Sequence, residues 1–315
     1  MKSIIRVIDL ETGPAPIEGE PGIVEYGHTD VLTEQHDMLG SPFGWLVGEF
    51  PTDQLRTFVK PYASIPPETA AIHNIIDEDV SNSPSWAEVA PYVTFAASPM
   101  KRIVALAAHN IECEKPLIGS AAGELPWIDT YQVALHLWPD APSHSNNALR
   151  YYLRPEGLLR DRAHPIHRAL PDSYITAFTL REALNAGNSV ERLIELTNKP
   201  ALLARCKIGQ WRNGGRGTPW EEVDSGFLRW ITGKDFDWNT MFTARYHLEK
   251  REMDQREESE LAELNRQYRA NGMSETAGFG VHQEGKPARD FEASRSDQRE
   301  HPRPGQPGST LELPL

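Results

Sequence analysis

The sequence predicts an α/β fold in which helices flank a mixed sheet, and three observations carry that expectation. Residues 3–10 form a β-branched run and residues 22–32 a second extended segment after a Gly/Pro-rich turn, so the chain opens as a hairpin. Residues 102–108 read as a further, buried strand. Beyond them the apolar spacing is mostly helical, and strands followed by helices is the order expected of a sheet covered by helices.

Taken in chain order, residues 33–51 read as a loop and residues 68–72 and 85–95 as helices. The second of these is entered through Ser83, Pro84 and Ser85, with Glu88 three residues after Ser85 as in a capping box. Helices follow at 127–137, 146–153 and 170–184, the last with Ile175 and Phe178 at helical spacing. A second unit over 190–248 has a different texture, with clustered Gly, Trp and Arg, and 249–271 is charge-dense and expected as a solvated helix. Residues 272–315 are rich in Gly, Pro, Ser, Glu and Arg, a composition that cannot bury enough apolar surface to order itself, and are expected as a disordered tail.

The 315 residues suffice for one large domain with a smaller appendage. Cys113 and Cys206 are the only cysteines and form no CxxC pattern, which argues against both a disulfide framework and a thiolate zinc site. With no apolar run long enough to span a bilayer, a soluble cytoplasmic protein without a membrane partner is expected. A net charge of −13 argues against binding nucleic acid by wholesale phosphate neutralisation. It leaves open a site that grips one strand end through metal ions, since such a site needs carboxylates of its own.

The candidate chemistry lies in three segments. Asp9 and Glu11 stand two residues apart at the end of the first strand, where a period of two sends both carboxylates to one face. At the end of the buried strand comes Ala108-His109-Asn110-Ile111-Glu112-Cys113-Glu114, whose structural reading is a helix entry with Asn110 as cap and acids favouring the helix dipole. The third is His167-Arg168-Ala169-Leu170-Pro171-Asp172 before a helix. Each alone is commonly structural. Together they supply four acids and one His in the order that two-metal phosphodiester hydrolysis requires: hard oxygen ligands, a carboxylate able to bridge two ions, and a base near the attacking water.

These residues resemble the DEDDh class of 3′-to-5′ exonucleases, which have an RNase H-like fold. Val7-Ile8-Asp9-Leu10-Glu11-Thr12 is similar to the first motif, Ala108-His109-Asn110 to the second, and His167 through Asp172 to the third. Pro66-Pro67-Glu68-Thr69-Ala70-Ala71-Ile72-His73-Asn74-Ile75 resembles the stretch before the second motif in the same family, and Trp127-Ile128-Asp129-Thr130 and Leu137-Trp138-Pro139, followed by Ser145-Asn146-Asn147-Ala148-Leu149, narrow the likeness toward the exodeoxyribonuclease X branch. The resemblance implies an exonuclease domain over 1–187, a small C-terminal module over 188–250, a charged helix over 251–271 and the tail over 272–315. It implies Asp9, Glu11 and Asp172 as ligands of two Mg²⁺ or Mn²⁺ ions, with Asp9 bridging, and His167 as general base. Glu114 takes the place of the family's fourth acid, normally Asp, and Cys113 stands where an aromatic is usual. Leu10, Thr12, His109 and Asn110 are implied to contact the terminal nucleotide. The expected activity is removal of 5′-mononucleotides from single-stranded or frayed DNA 3′ ends, in repair or replication; an exoribonuclease on the same fold, or a non-catalytic adaptor for strand ends, are the alternatives.

Two further features lie C-terminal to these motifs. Lys199, Arg205, Lys207, Arg212 and Arg216 occur without an intervening acid, with Trp211 and Trp220 among or beside them. Cations beside stacking surfaces suit single-stranded nucleic acid, so Lys207, Trp211 and Arg212 are candidate DNA contacts; equally, the tryptophans can be the core of a small module. The end, Ser309-Thr310-Leu311-Glu312-Leu313-Pro314-Leu315, resembles the short peptide with which bacterial DNA-processing enzymes dock on the sliding clamp, which makes Leu311, Leu313 and Leu315 candidate clamp contacts.

Overall fold

A computed structural model describes residues 2–33, 44–49, 51–96, 98–209 and 216–270. The opening hairpin is β1 (Lys2–Thr12) and β2 (Ile23–Thr33), followed by β3 (Trp45–Val47) and β4 (Gln54–Phe58). Three short helices, α1 (Pro67–His73), α2 (Asp77–Val80) and α3 (Trp86–Val89), lead to β5 (Lys101–Ala108), α4 (Ile111–Ile118) and β6 (Trp127–Asp129). The rest is helical: α5 (Thr130–Leu137), α6 (Asn146–Leu153), α7 (Ala169–Asn185), α8 (Val190–Thr197), α9 (Ser225–Thr232) and α10 (Trp238–Ala270).

The sheet is mixed, in the order β3-β2-β1-β5-β6, with β4 also paired to β2. β1 runs antiparallel to β2 and parallel to β5, and β5 runs parallel to β6. Alternation along β1 divides two cores. Ile4 and Ile8 join Tyr26, Leu106 and Ala108 on one face, while Ile5 and Val7 face Ala177, Leu180 and Leu184 of α7 and Leu193 and Leu196 of α8. Asp9 and Glu11 continue the parity of Ile5 and Val7, so the sequence period delivers both carboxylates to the α7 face.

Gly27 lets α7 approach that face. It sits opposite Asp9 in the β1–β2 register, and a Cβ there would stand 2.4 Å from the carbonyl carbon of Ala169, at the start of α7. On the other face Arg6 is buried, its guanidinium bidentate on Asp30 at 2.8 Å for both bonds and donating to the carbonyl of Phe95 at 2.8 Å. One side chain thus ties the central strand, its neighbour and the segment before β5.

Several elements differ from the sequence expectation. The helix expected over 127–137 opens as strand: Trp127, Ile128 and Asp129 pair with Leu106, Ala107 and Ala108, and Asp129 then caps α5 by accepting from the amides of Tyr131 and Gln132. Burial on both faces and Pro126 before the run favour the strand, while the cap fixes the switch. The helix expected over 85–95 is α3 followed by a tighter turn over Ala90–Val93, because Pro91 has no N–H to continue the α ladder. Its capping box is present, Ser85 N–H donating to Glu88 Oε2 at 2.8 Å. Within the expected loop 33–51, Trp45–Val47 forms an edge strand. The charged helix expected from residue 249 begins at Trp238.

Beyond α8 the chain builds a third core. Leu203, Cys206, Trp220, Val223, Leu228 and Ile231 cluster with Leu135 of α5. A buried amide pair reinforces the join: Gln132 Nε2 donates to Asn239 Oδ1 at 3.0 Å and Asn239 Nδ2 to Gln132 Oε1 at 2.8 Å. Trp220 is therefore core, fully buried. Among the described residues, those up to 255 form one compact unit and residues 256–270 belong to a second. Trp211, Arg212 and the tail with Leu311, Leu313 and Leu315 lie outside the described residues. Among the described residues no helix is long and apolar enough to cross a membrane.

Candidate active site

Asp9, Glu11 and Asp172 come together, each offering a carboxylate oxygen within 4.8 Å of the others. Two arise from the end of β1 and one from the first turn of α7. Glu114, from the first turn of α4, is buried, and its Oε2 has no hydrogen-bond partner.

Burial raises the pKa of Asp9 well above the carboxylate range, and repulsion from Asp172, Glu114 and Glu11 adds to it. Burial, then Asp172 and Glu25, push Glu11 up to about 8, against the opposing pull of Arg168. Glu114 is likewise pushed up to about 8, by burial and by Asp129. Asp172 is raised by burial, while hydrogen bonds from the His167 and Arg168 amides act the other way. Three carboxyl groups held this closely, with Glu114 near enough to act on Asp9 and Glu11, cannot all ionise unless a cation compensates them. The donor set is all oxygen, the choice of hard divalent ions, and ligands of one Mg²⁺ stand no more than about 4 Å apart, a span comparable to the 4.8 Å within which these oxygens lie. The residues fit such an ion, and the orphaned Glu114 oxygen is a further donor.

His167 is exposed and adopts φ +58°, an uncommon conformation for a residue other than glycine. That turn aims its amide N–H at Asp172 Oδ2, 2.9 Å away. The helix start is held from behind by Glu25, opposite Glu11 in the sheet register, which accepts from Arg168 Nε at 2.9 Å, Arg168 Nη2 at 2.7 Å and the Ala169 amide at 2.9 Å.

The expected nucleotide contacts divide. Leu10 stands between the two acids of β1 and Thr12 follows them, with Leu10 half-buried against one core. The Thr12 carbonyl accepts from His73 Nε2 at 3.2 Å, while His73 Nδ1 accepts from the amide of Ile75, which fixes the tautomer. His109 uses both ring nitrogens internally, Nδ1 on the Thr130 hydroxyl at 3.0 Å and Nε2 on the His144 carbonyl at 2.8 Å. Burial pushes its pKa down to about 4, so the neutral ring donates from Nε2 and accepts at Nδ1. Asn110 begins α4 with φ +75°, its amide on Asp129 Oδ1 at 3.0 Å and its side chain on Cys113 Sγ at 3.3 Å instead of a helix amide.

Sequence reasoning missed Glu25, the structural use of Arg168, and Asn146, whose Nδ2 donates to the Asp172 carbonyl at 3.0 Å. Arg168 carried a signal through its place between His167 and Asp172. Glu25 carried only its parity opposite Glu11, visible once the hairpin register is known.

No family model matches the chain. Exodeoxyribonuclease 10 of Escherichia coli K12 is 31% identical over 229 residues, which cover 72% of this chain and 90% of that protein. The chain belongs to the exodeoxyribonuclease 10 family. The same protein from Escherichia coli O6:H1 matches to the same extent. Among solved structures, exonuclease X in complex with 5′ overhanging duplex DNA is 28% identical, covering 61% of this chain and 99% of that one, with a TM-score of 0.44. As a member of the exodeoxyribonuclease 10 family the chain is an exonuclease, a hydrolase that acts on nucleic acid.

Proposed function

We propose that this exonuclease removes 5′-mononucleotides from the 3′ ends of DNA, using the carboxylates at the end of β1 and the start of α7 to hold two divalent cations, Mg²⁺ or Mn²⁺. The observation that carries the reading is the convergence of Asp9, Glu11 and Asp172 within 4.8 Å. Family membership favours DNA as substrate, since the relative at 31% identity is named an exodeoxyribonuclease.

Asp9, Glu11 and Asp172 would hold the cations, with Glu114 offering its unpartnered oxygen. When bound, such ions neutralise the carboxylates and polarise the phosphate under attack. His167 takes a proton from the attacking water, a role suited to an exposed imidazole. The water oxygen bonds to phosphorus, the bond from phosphorus to the 3′-oxygen of the preceding nucleotide breaks, and that oxygen leaves to be protonated as a new 3′-hydroxyl. The Asp172 carboxylate is oriented for this by the His167 amide, and the α7 terminus by Arg168 on Glu25. Leu10 and Thr12 contact the terminal nucleotide. His109, with both ring nitrogens engaged, acts by shaping the wall behind Asn110.

Digestion of 5′-labelled single-stranded DNA and RNA of one sequence, with Mg²⁺ or EDTA, by wild type and Asp9→Ala, tests the reading. A cation-dependent ladder that shortens from the 3′ end, is stronger on DNA and is absent in the variant is the expected result. Preferred RNA cleavage would make the enzyme an exoribonuclease, and label released first as a mononucleotide would reverse the polarity.

A further inference from the structure

A cavity of about 610 Å³ lies between the segment joining α5 to α6 and the chain that follows α8. That is the size of a small-molecule or nucleotide site. Leu135, Pro139 and Leu202 supply an apolar wall. The other wall carries Arg205, Lys207 and Arg216 against a single carboxylate, Asp140, in a protein whose net charge is −13. A local excess of cations in an acidic molecule draws anions to that place.

The cationic wall is built on paired backbone. Cys206 donates to the Thr218 carbonyl at 2.9 Å and Gly217 to the Cys206 carbonyl at 2.8 Å, while Arg205 Nη1 donates to the Gly217 carbonyl at 2.8 Å. Lys207 is exposed, and its ammonium makes no hydrogen bond or ion pair among the described residues. It stands close enough to His144, which also lines the cavity, to help lower the pKa of that ring, after burial.

The cavity is also connected to the carboxylate cluster. His144 accepts at its carbonyl from His109, and Asn146, two residues on, donates to the main chain of Asp172. Two residues of extended chain reach at most about 7 Å. Residues 144–146 therefore join the cavity lining, at His144, to the main chain of Asp172, at Asn146, over a short run of chain.

We propose that this cavity binds a nucleotide unit of the strand being degraded, upstream of the cleaved end, with its phosphate on Lys207 and Arg205 and its base against Pro139 and Leu202. The inference rests on the reading of the chain as a nuclease that holds a single strand. It adds a second grip, one that retains the strand while a product leaves and the new end advances.

The test is fluorescence anisotropy of labelled oligothymidylate of about 15 nucleotides, long enough to reach past the acids. It is run in EDTA over a range of salt with the full-length chain, Lys207→Gln, and Lys234→Gln as an exposed-lysine control. Lys207→Gln is expected to weaken binding about 5-fold at low salt and to reduce the slope of log K against log salt by about 0.7, the loss of one phosphate contact on a single strand. Lys234→Gln is expected to match wild type. Binding of Lys207→Gln equal to wild type, a loss with unchanged salt slope, or an equal loss in Lys234→Gln would each overturn the proposal. Because no cation or cleavage is needed, a wild-type protein that failed to hydrolyse DNA would defeat the exonuclease reading and still leave this site decided by the slopes.

Discussion

Arg168 clasps the fully buried carboxylate of Glu25 with Nε–Oε2 at 2.9 Å and Nη2–Oε1 at 2.7 Å. The pair fastens the start of α7 to β2 directly behind Glu11, so the geometry of Asp172 depends on it. Breaking a buried pair by removing one partner costs about 3–5 kcal/mol when the remaining charge is left uncompensated; Glu25 keeps Arg56 Nε at 3.5 Å and the Ala169 amide at 2.9 Å, which places the cost at the low end of that range. Arg168→Met is expected to lose stability on that scale in urea unfolding and to lose activity with it. Glu25→Gln combined with Arg168→Met is expected to recover much of the stability, which a double-mutant cycle measures.

Gly27 is the steric counterpart of that clasp. In Gly27→Ala the new methyl group would meet Ala169 at 2.4 Å, so α7 must move away from β1 and carry Asp172 with it. Overpacking of this kind costs about 1–3 kcal/mol, and displacement of a catalytic group by about 1 Å costs about 100-fold in rate. Thermal melting and turnover of the variant are expected to show a modest loss in the first and a large one in the second.

The carboxylates make stability depend on pH and on cation. Glu11 and Glu114, pushed up to about 8 from 4.5, bind more protons folded than unfolded between those values. Their contribution is fully present below the unfolded value and is lost as pH rises through about 8. In EDTA the melting temperature is expected to fall over that window, and Mg²⁺ added at the alkaline end is expected to restore it. Glu114→Gln is expected to flatten the slope.

His167 separates two roles in one residue, since its backbone N–H orients Asp172 while its ring is exposed. His167→Asn keeps the amide and tolerates the left-handed backbone at φ +58°. It is expected to melt as wild type and to turn over about 100- to 10,000-fold more slowly, the usual cost of losing a general base. Unaltered turnover would remove the imidazole from the mechanism.

Much of this was legible in the sequence where chemistry and period coincide. The parity of Asp9 and Glu11 follows from the strand period, and the opening hairpin, the β5 strand and α6 and α7 follow from apolar spacing. What the sequence concealed are decisions made by tertiary contacts. Trp127–Asp129 shares helical spacing with residues 130–137, yet pairs as a strand because β5 offers an open edge. Glu25 reads as a polar residue in a strand and becomes structural only when α7 brings Arg168 to it. His109 reads as a ligand-facing residue from its motif, but both its nitrogens are taken by Thr130 and His144, residues distant in sequence. Glu114, an acid in a helix's first turn, reads as favouring the helix dipole, and only its burial and the unpartnered Oε2 set it apart.

The central claim is that Asp9, Glu11, Glu114 and Asp172 form one cation site. Calorimetric titration of Mn²⁺ into the metal-free protein at about pH 7.5, in two buffers of different ionisation enthalpy, tests it most directly, because ligands must lose protons to bind metal. Saturable binding with proton release is expected in wild type, and loss of both in Asp9→Asn. Identical isotherms for the two proteins, or binding without proton release, would contradict it.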